Sequence, residues 1–236
     1  MINLLARKYV AKVSSGVFGC TTPSHHYDIS PTGNADHTPY RFWDTAGLNE
    51  GEQGTVPARD ALDLLYNLVK GLRNISLVIY CVRGARFTDI ARVNYDLSWG
   101  IMCEGRVPIV LVVTGLEQES DMDQWWTNYG KDVKGMGMTF EGHACVTTTK
   151  GRNNLYEQEY LQSADKVWTL VQKHCLPDPL TLTAEWISEV PKRMEAYMRE
   201  YIARSGKERK FLPKPRRPRP QLPMPSSVCC LELISS

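Results

Sequence analysis

"YRFWDTAGLNEGEQG", Tyr40 to Gly54, begins as an apolar strand and passes directly into Asp-x-x-Gly and a polar, glycine-rich loop. A carboxylate at the C-terminal edge of a strand is placed to hold a metal ion. A glycine three residues later lets a backbone N–H approach a phosphate with no Cβ in the way. An aspartate that only caps a strand end through an Asx turn would read the same over four residues. The rest of the chain has to decide between a nucleotide site and a turn.

Apolar runs of strand length recur on both sides of this stretch: "HHYDIS" (His25 to Ser30), "PYRFWDT" (Pro39 to Thr45), "ISLVIYCV" (Ile75 to Val82), "VPIVLVVT" (Val107 to Thr114) and "HACVTTT" (His143 to Thr149). The first pair is joined by the turn formers "PTGNADHT" and reads as a hairpin. The later runs are separated by helical patterns. "TVPARDALDLLYNLVKGL" has Ala61, Leu64, Leu65, Leu68 and Val69 at helix spacing, "TDIARVNYDLSWGIMCEG" opens on a Thr88/Asp89 cap pair, and "YLQSADKVWTLVQKHC" runs to Cys175 before Pro177 and Pro179. A hairpin followed by alternating helix and strand predicts a three-layer α/β fold, with a mostly parallel sheet and one antiparallel hairpin strand. In such sheets ligands sit at the carboxyl ends of the strands.

That rule predicts polar residues where each apolar strand stops, and they are there. Asp44 follows "YRFW", Thr114 and Glu117 follow "VPIVLVV", and Thr148, Thr149, Lys150 and Gly151 follow "HACV". A sheet built only for packing would need turn residues at those points, not an acid, a Thr-x-x-Glu and a Thr-Thr-Lys-Gly.

Composition narrows the partners. At 236 residues and 42% hydrophobic content the chain can bury one full core and carry an appendage. Its seven cysteines are irregularly spaced with no CxxC pair, which indicates neither a zinc site nor a disulfide framework and suggests reduced thiols. No stretch approaches the roughly 18 apolar residues that span a bilayer, and the first residues are too short an apolar run for a signal peptide, so a cytoplasmic protein is expected. Ala203 to Pro220 holds eight Lys/Arg against one Glu, which leaves the remainder of a chain of net charge +2 at −5. A mildly acidic body is not a nucleic-acid-binding surface.

Taken in order, these segments resemble the boxes of a P-loop GTPase G domain of the translation-factor-related class. The likeness is to the immunity-associated, septin-like and chloroplast-import GTPases and their uncharacterised fungal members, and it covers Ile2 to about Cys175. "GCTTPSHHY" resembles switch I, which implies that Thr21 closes on magnesium and the γ-phosphate. "DTAG" resembles switch II, with Asp44 reaching the magnesium through water and the Gly47 N–H facing the γ-phosphate. "TGLE" stands where the family carries [NT]-[KQ]-x-D, and "TTK" where it carries S-A-K. The resemblance therefore implies GTP or GDP with Mg2+ as ligands, with Thr21, Asp44, Gly47, Thr114, Glu117, Thr148, Thr149 and Lys150 around them. Thr21 and Asp44 would be nearest the metal. It also implies self-association or a protein effector as partner.

The departures bear on mechanism. No G-x-x-x-x-G-K-[ST] occurs in the sequence, and "MINLLARKYV" reads as the helix that follows that loop in the family. The first strand would be missing with it, and that strand lies between "YRFWDT" and "ISLVIYCV" in the family's order. Losing a central strand would orphan ladder groups on both neighbours, at about 1 to 3 kcal/mol each. Either the chain is a piece of a working GTPase or it is a remnant whose flanking strands close up. Glu117 carries the charge of the family's base-box aspartate on a longer stem, and Gly115 stands where a lysine or glutamine stem covers the base. Leu48 replaces the water-orienting glutamine of Ras-like enzymes, so slow or partner-dependent hydrolysis is expected and no catalytic residue is assigned; Glu52 and Gln53 read as solvated loop residues. The alternative is a pseudo-GTPase interaction module without nucleotide.

His25 and His26 read as ordinary strand residues with opposite orientations, one of Trp125 and Trp126 as the contact packing a helix on the sheet, and Arg59 and Arg86 as surface ion-pair residues. The expected organisation is a G domain over 1–176, a helical extension over 177–210 with Pro191 kinking or restarting its helix, and a proline-rich basic tail over 211–236 expected to be disordered. That tail holds an R-x-x-P-x-x-P spacing at Arg217, Pro220 and Pro223 that fits SH3-type domains. It also holds Cys229 and Cys230, beside the basic stretch, as palmitoylation candidates through which any membrane contact would run.

Overall fold

The computed structural model describes residues 1–11, 25–31, 39–45, 59–84, 89–205 and 228–235. Six strands form one sheet: β1 (His25–Ile29), β2 (Tyr40–Asp44), β4 (Leu77–Arg83), β5 (Ile109–Thr114), β6 (Gly142–Cys145) and β8 (Val228–Ser235), in the order β1-β2-β8-β4-β5-β6. β1 is antiparallel to β2, and every other pairing is parallel. The α/β class and the hairpin followed by parallel strands agree with the sequence reading. β4 and β5 are buried on nearly every residue, which is why they read as unbroken apolar runs rather than as alternating ones.

Alternate residues of the strands feed two cores. On one face Phe42, Leu77, Ile79, Val110 and Val112 pack under α1 (Ile2–Ala6) and α5 (Glu157–His174). Trp168 of α5 meets Phe42 edge-on at 5.7 Å between ring centroids and donates its indole N–H to Leu5 O at 3.1 Å. On the other face Val78, Tyr80, Val82, Leu111 and Val113 pack under α2 (Arg59–Gly71), α3 (Asp89–Tyr95), α4 (Gln124–Gly135) and α6 (Ala184–Ser205). A small second sheet pairs β3 (Asn74–Ile75) with β7 (Leu180–Thr181) and leads the chain into α6.

The largest departure from the sequence reading is β8. Val228–Ser235 is not an unstructured tail: it is a central strand, in register Trp43↔Leu231 on one side and Val78↔Leu231 on the other. The expectation of a disordered 211–236 is thus corrected for these residues, while 211–227, with Arg217, Pro220 and Pro223, lie outside the described residues. The gap expected between "YRFWDT" and "ISLVIYCV" is filled as well. The run V-C-C-L-E-L-I is apolar at every position but Glu232, which suits a slot between two strands, and inserting it pairs ladder groups on β2 and β4 that would otherwise be orphaned. Cys229 and Cys230 stand in this ladder, opposite Arg41 and Phe42 of β2.

Three further differences are local. The first helix ends at Ala6, because Arg7 turns left-handed at φ 50°, and does not run through "MINLLARKYV". α3 passes at Asp96 into a π-helical segment to Ile101, whose wider turn is closed by Met102 N donating to Leu97 O. α6 is one helix through Pro191. Its Val190, Met194 and Met198 are buried in the same core as the sheet, so the extension belongs to the domain's packing. Among the described residues no helix is long and apolar enough to cross a membrane, and Cys81, Cys103, Cys145 and Cys175 are free thiols.

Candidate functional site

Parallel pairing sends β2, β8, β4, β5 and β6 to a common carboxyl edge. β5 ends at Thr114, whose hydroxyl faces Val82 O at 3.4 Å, and the chain turns at Gly115 with φ +78° before Leu116 tucks into the core. That turn brings Glu117 back toward the end of β6. There Thr147, fully buried, donates its backbone N–H to Ser163 Oγ at 3.1 Å. The single hydroxyl proton of Thr147 is within reach of Glu117 Oε2 at 3.3 Å and of Thr149 O at 3.1 Å, while its oxygen accepts from Thr149 N at 3.3 Å.

Outside this buried tie the two loops hold each other further. Gln118 donates to the Tyr156 hydroxyl at 2.7 Å, Tyr156 N donates to Lys150 O at 2.8 Å, and Gly151 N donates to Thr149 Oγ1 at 3.0 Å. Gly151 has φ +70°, and a Cβ there would lie 2.5 Å from the Tyr156 ring, so only glycine fits. Lys150 pairs with Glu157 at 2.7 Å, a hydrogen bond that raises its pKa, and its ammonium stands 5.6 Å from the Tyr160 ring centroid. Thr114, Glu117, Thr148, Thr149 and Lys150, all singled out from sequence, therefore come together in two joined loops. Thr147 is the residue that sequence reasoning missed; its signal was its place as the first of three threonines directly after a buried strand.

Asp44 ends β2 on the same edge, half-buried, opposite His25 in the hairpin register. Burial raises its pKa, with the Met1 amino group and His25 pulling in the other direction. Between Asp44 and Thr114 lie β8 and β4, three strand spacings or about 14 Å across the sheet, and through the register Asp44 is level with Val110, short of Thr114 along β5. Thr21, Gly47, Leu48, Glu52, Gln53 and Arg86, and the side chain of Arg59, lie outside the described residues. Among the described residues no cluster of three or more His, Cys, Asp or Glu is placed to hold a metal. His26 lies against the Trp43 ring at 5.1 Å, as a packed strand residue does.

On the α4 side of the Gly115 turn a cavity of about 490 Å³ is lined by Gly84, Leu116, Trp125, Tyr129 and Met136. Trp125 is the tryptophan that fixes α4 to the sheet, 8% exposed with its indole N–H donated to Gly84 O at 2.9 Å. Trp126 instead stacks on His143 at 4.1 Å, and burial lowers the pKa of that histidine.

Fold and site together define an α/β domain with an open, mostly parallel sheet and a polar carboxyl edge. Set against known proteins, the chain matches no family model, and no curated protein is significantly similar to it.

Proposed function

We propose that the chain binds a guanine nucleotide, GTP or GDP with magnesium, along the carboxyl edge of its sheet, and acts as a switch whose hydrolysis is slow or depends on a partner. The observation that carries this reading is the Thr147–Glu117 contact, which joins the "TGLE" and "TTTKG" loops into one end of that edge while Asp44 stands at the other. A ligand extended along that edge would have its base at the Glu117 end and its phosphates toward Asp44. The strand order supports a G-domain-like architecture, with β8 in the position of the family's first strand.

The donor set fits the ligand in part. Glu117 has carboxylate acceptors for a ring N–H and an exocyclic amine, and a cation at Asp44 would relieve a carboxylate whose charge burial disfavours. By resemblance, Thr21 and the Gly47 N–H would complete the metal and γ-phosphate end, while Thr148, Thr149 and Lys150 would close over the base.

A second reading is favoured by one observation. The slot whose carboxyl end carries the phosphate loop in the family is filled by β8, and no G-x-x-x-x-G-K-[ST] occurs in the sequence. On this reading the chain is a pseudo-GTPase interaction module. Equilibrium binding of a fluorescent GTP analogue to the full chain, with and without magnesium and in competition with ATP, separates the two. Sub-micromolar, magnesium-dependent, GTP-selective binding supports the first. No binding up to millimolar, at least about 4 kcal/mol weaker than micromolar affinity, supports the second.

A further inference from the structure

We propose that Arg83 supplies the stacking surface for a purine base at the Glu117 end of the edge, an assignment that rests on the nucleotide reading and adds a residue to it. Gly115 carries no side chain and sits at φ +78°, so the turn that presents Glu117 has a bare Cα where a long stem would otherwise cover a ligand. The space above that Cα is taken from the neighbouring strand. A Cβ built on Gly115 would lie 3.0 Å from Arg83 Cγ, 3.1 Å from Arg83 Nε and 3.5 Å from Arg83 Cδ, so the stem and the start of the guanidinium lie across the glycine.

Backbone pairing makes this placement a property of the sheet. Arg83 is the last residue of β4, in register with Thr114 of β5, and Gly84 N donates to Thr114 O at 2.8 Å just beyond it. Arg83 is exposed and has no ion-pair partner among the described residues, although other arginines of the domain, such as Arg41 and Arg92, are paired with carboxylates. A guanidinium is planar, weakly hydrated and suited to stacking on an aromatic ring, which a lysine ammonium is not. An arginine stem lying against a glycine, two residues from the Glu117 carboxylate, is placed to cover a base held there.

The test measures affinities of ribose-labelled fluorescent GDP and GTP for the full native chain, Arg83→Ala, Arg83→Lys and, as a control on a distant exposed arginine, Arg106→Ala. Arg83→Ala is expected to weaken GDP and GTP alike, by about tenfold, with Tm unchanged because the side chain is exposed. Arg83→Lys should recover little of the loss, and Arg106→Ala should match the native chain. A loss confined to GTP would place Arg83 on the γ-phosphate and overturn the assignment. Full rescue by lysine would overturn it too, since charge alone would then suffice. Unchanged affinity in Arg83→Ala, with the native chain binding, sinks this inference alone. Failure of the native chain to bind either nucleotide sinks the nucleotide reading and this inference together.

Discussion

The Thr147 hydroxyl lies 3.3 Å from Glu117 Oε2, and through that contact two loops from different strand ends become a single polar surface. The same hydroxyl accepts from Thr149 N, so one buried side chain sets both the direction of the Glu117 carboxylate and the path of the next loop. Thr147→Val keeps the volume and removes the hydroxyl's contacts to Glu117 and to Thr149. The expected cost is about 1 to 2 kcal/mol in urea unfolding, whereas Thr148→Val, at an exposed position, should be near neutral. On the nucleotide reading, Thr147→Val also loosens Glu117 and lowers guanine selectivity over adenine, read as the ratio of GTP to ATP affinity.

Central placement of β8 sets the next expectation. Leu231 pairs with Trp43 and with Val78, so a proline there removes a donor from a strand that has neighbours on both sides. Leu231→Pro is expected to cost about 3 kcal/mol or more and to abolish a cooperative transition by circular dichroism. Equal melting of Leu231→Pro and the native chain would remove β8 from the sheet.

Asp44 predicts a pH dependence with a definite sign. Its folded-state pKa is raised above 3.8, chiefly by burial, so the folded chain favours the protonated form. The stability this contributes is fully present below pH 3.8 and is lost as pH rises through the folded value. Asp44→Asn should therefore match the native chain at pH 3 and exceed it at pH 7 in urea midpoint. Added Mg2+ and GTP should reverse the order at pH 7 if Asp44 serves the metal; an Asp44→Asn chain stabilised by Mg2+ and GTP as much as the native one would speak against that role.

The docking of α6 hangs on a second polar contact. Tyr197 donates to Asp96 Oδ2 at 2.7 Å, and Asp96, at the start of the π-helical segment, also takes Arg92 Nε at 2.9 Å. Burial pushes the Tyr197 phenol pKa up, with the Asp96 hydrogen bond acting in the same direction. Its contribution is thus fully present below pH 10.0 and lost as pH rises through the higher folded value. Tyr197→Phe should cost about 1.5 kcal/mol at neutral pH, and the gap to the native chain should narrow in alkali. A double-mutant cycle with Asp96→Asn reads the coupling.

Much of the sheet was legible because β4 and β5 are apolar on both faces and β1 and β2 are joined by turn formers. The polar residues at strand ends gave the edge. β8 was not legible for a physical reason: its eight residues follow a stretch of prolines and arginines that cannot build a core, and nothing local says that a distant slot will take them. Pro191 does not end the helix, since tertiary burial of Val190, Met194 and Met198 holds α6 together across the lost hydrogen bond. The π-helical turn left no periodic signature, because five residues per bonded loop differ from four only once the helix is packed.

The late position of β8 in the chain has a consequence for biosynthesis. A ribosome makes the chain from its amino end, and β2, β4, β5 and both core faces are already translated before Val228 leaves the exit tunnel. Throughout that interval β2 and β4 each present an unpaired edge in the middle of a nascent sheet, the kind of surface that recruits a wrong strand or a chaperone. Yield in the cell should then depend on how promptly the last strand arrives, and on chaperone supply, more steeply than the finished domain's thermal stability would suggest.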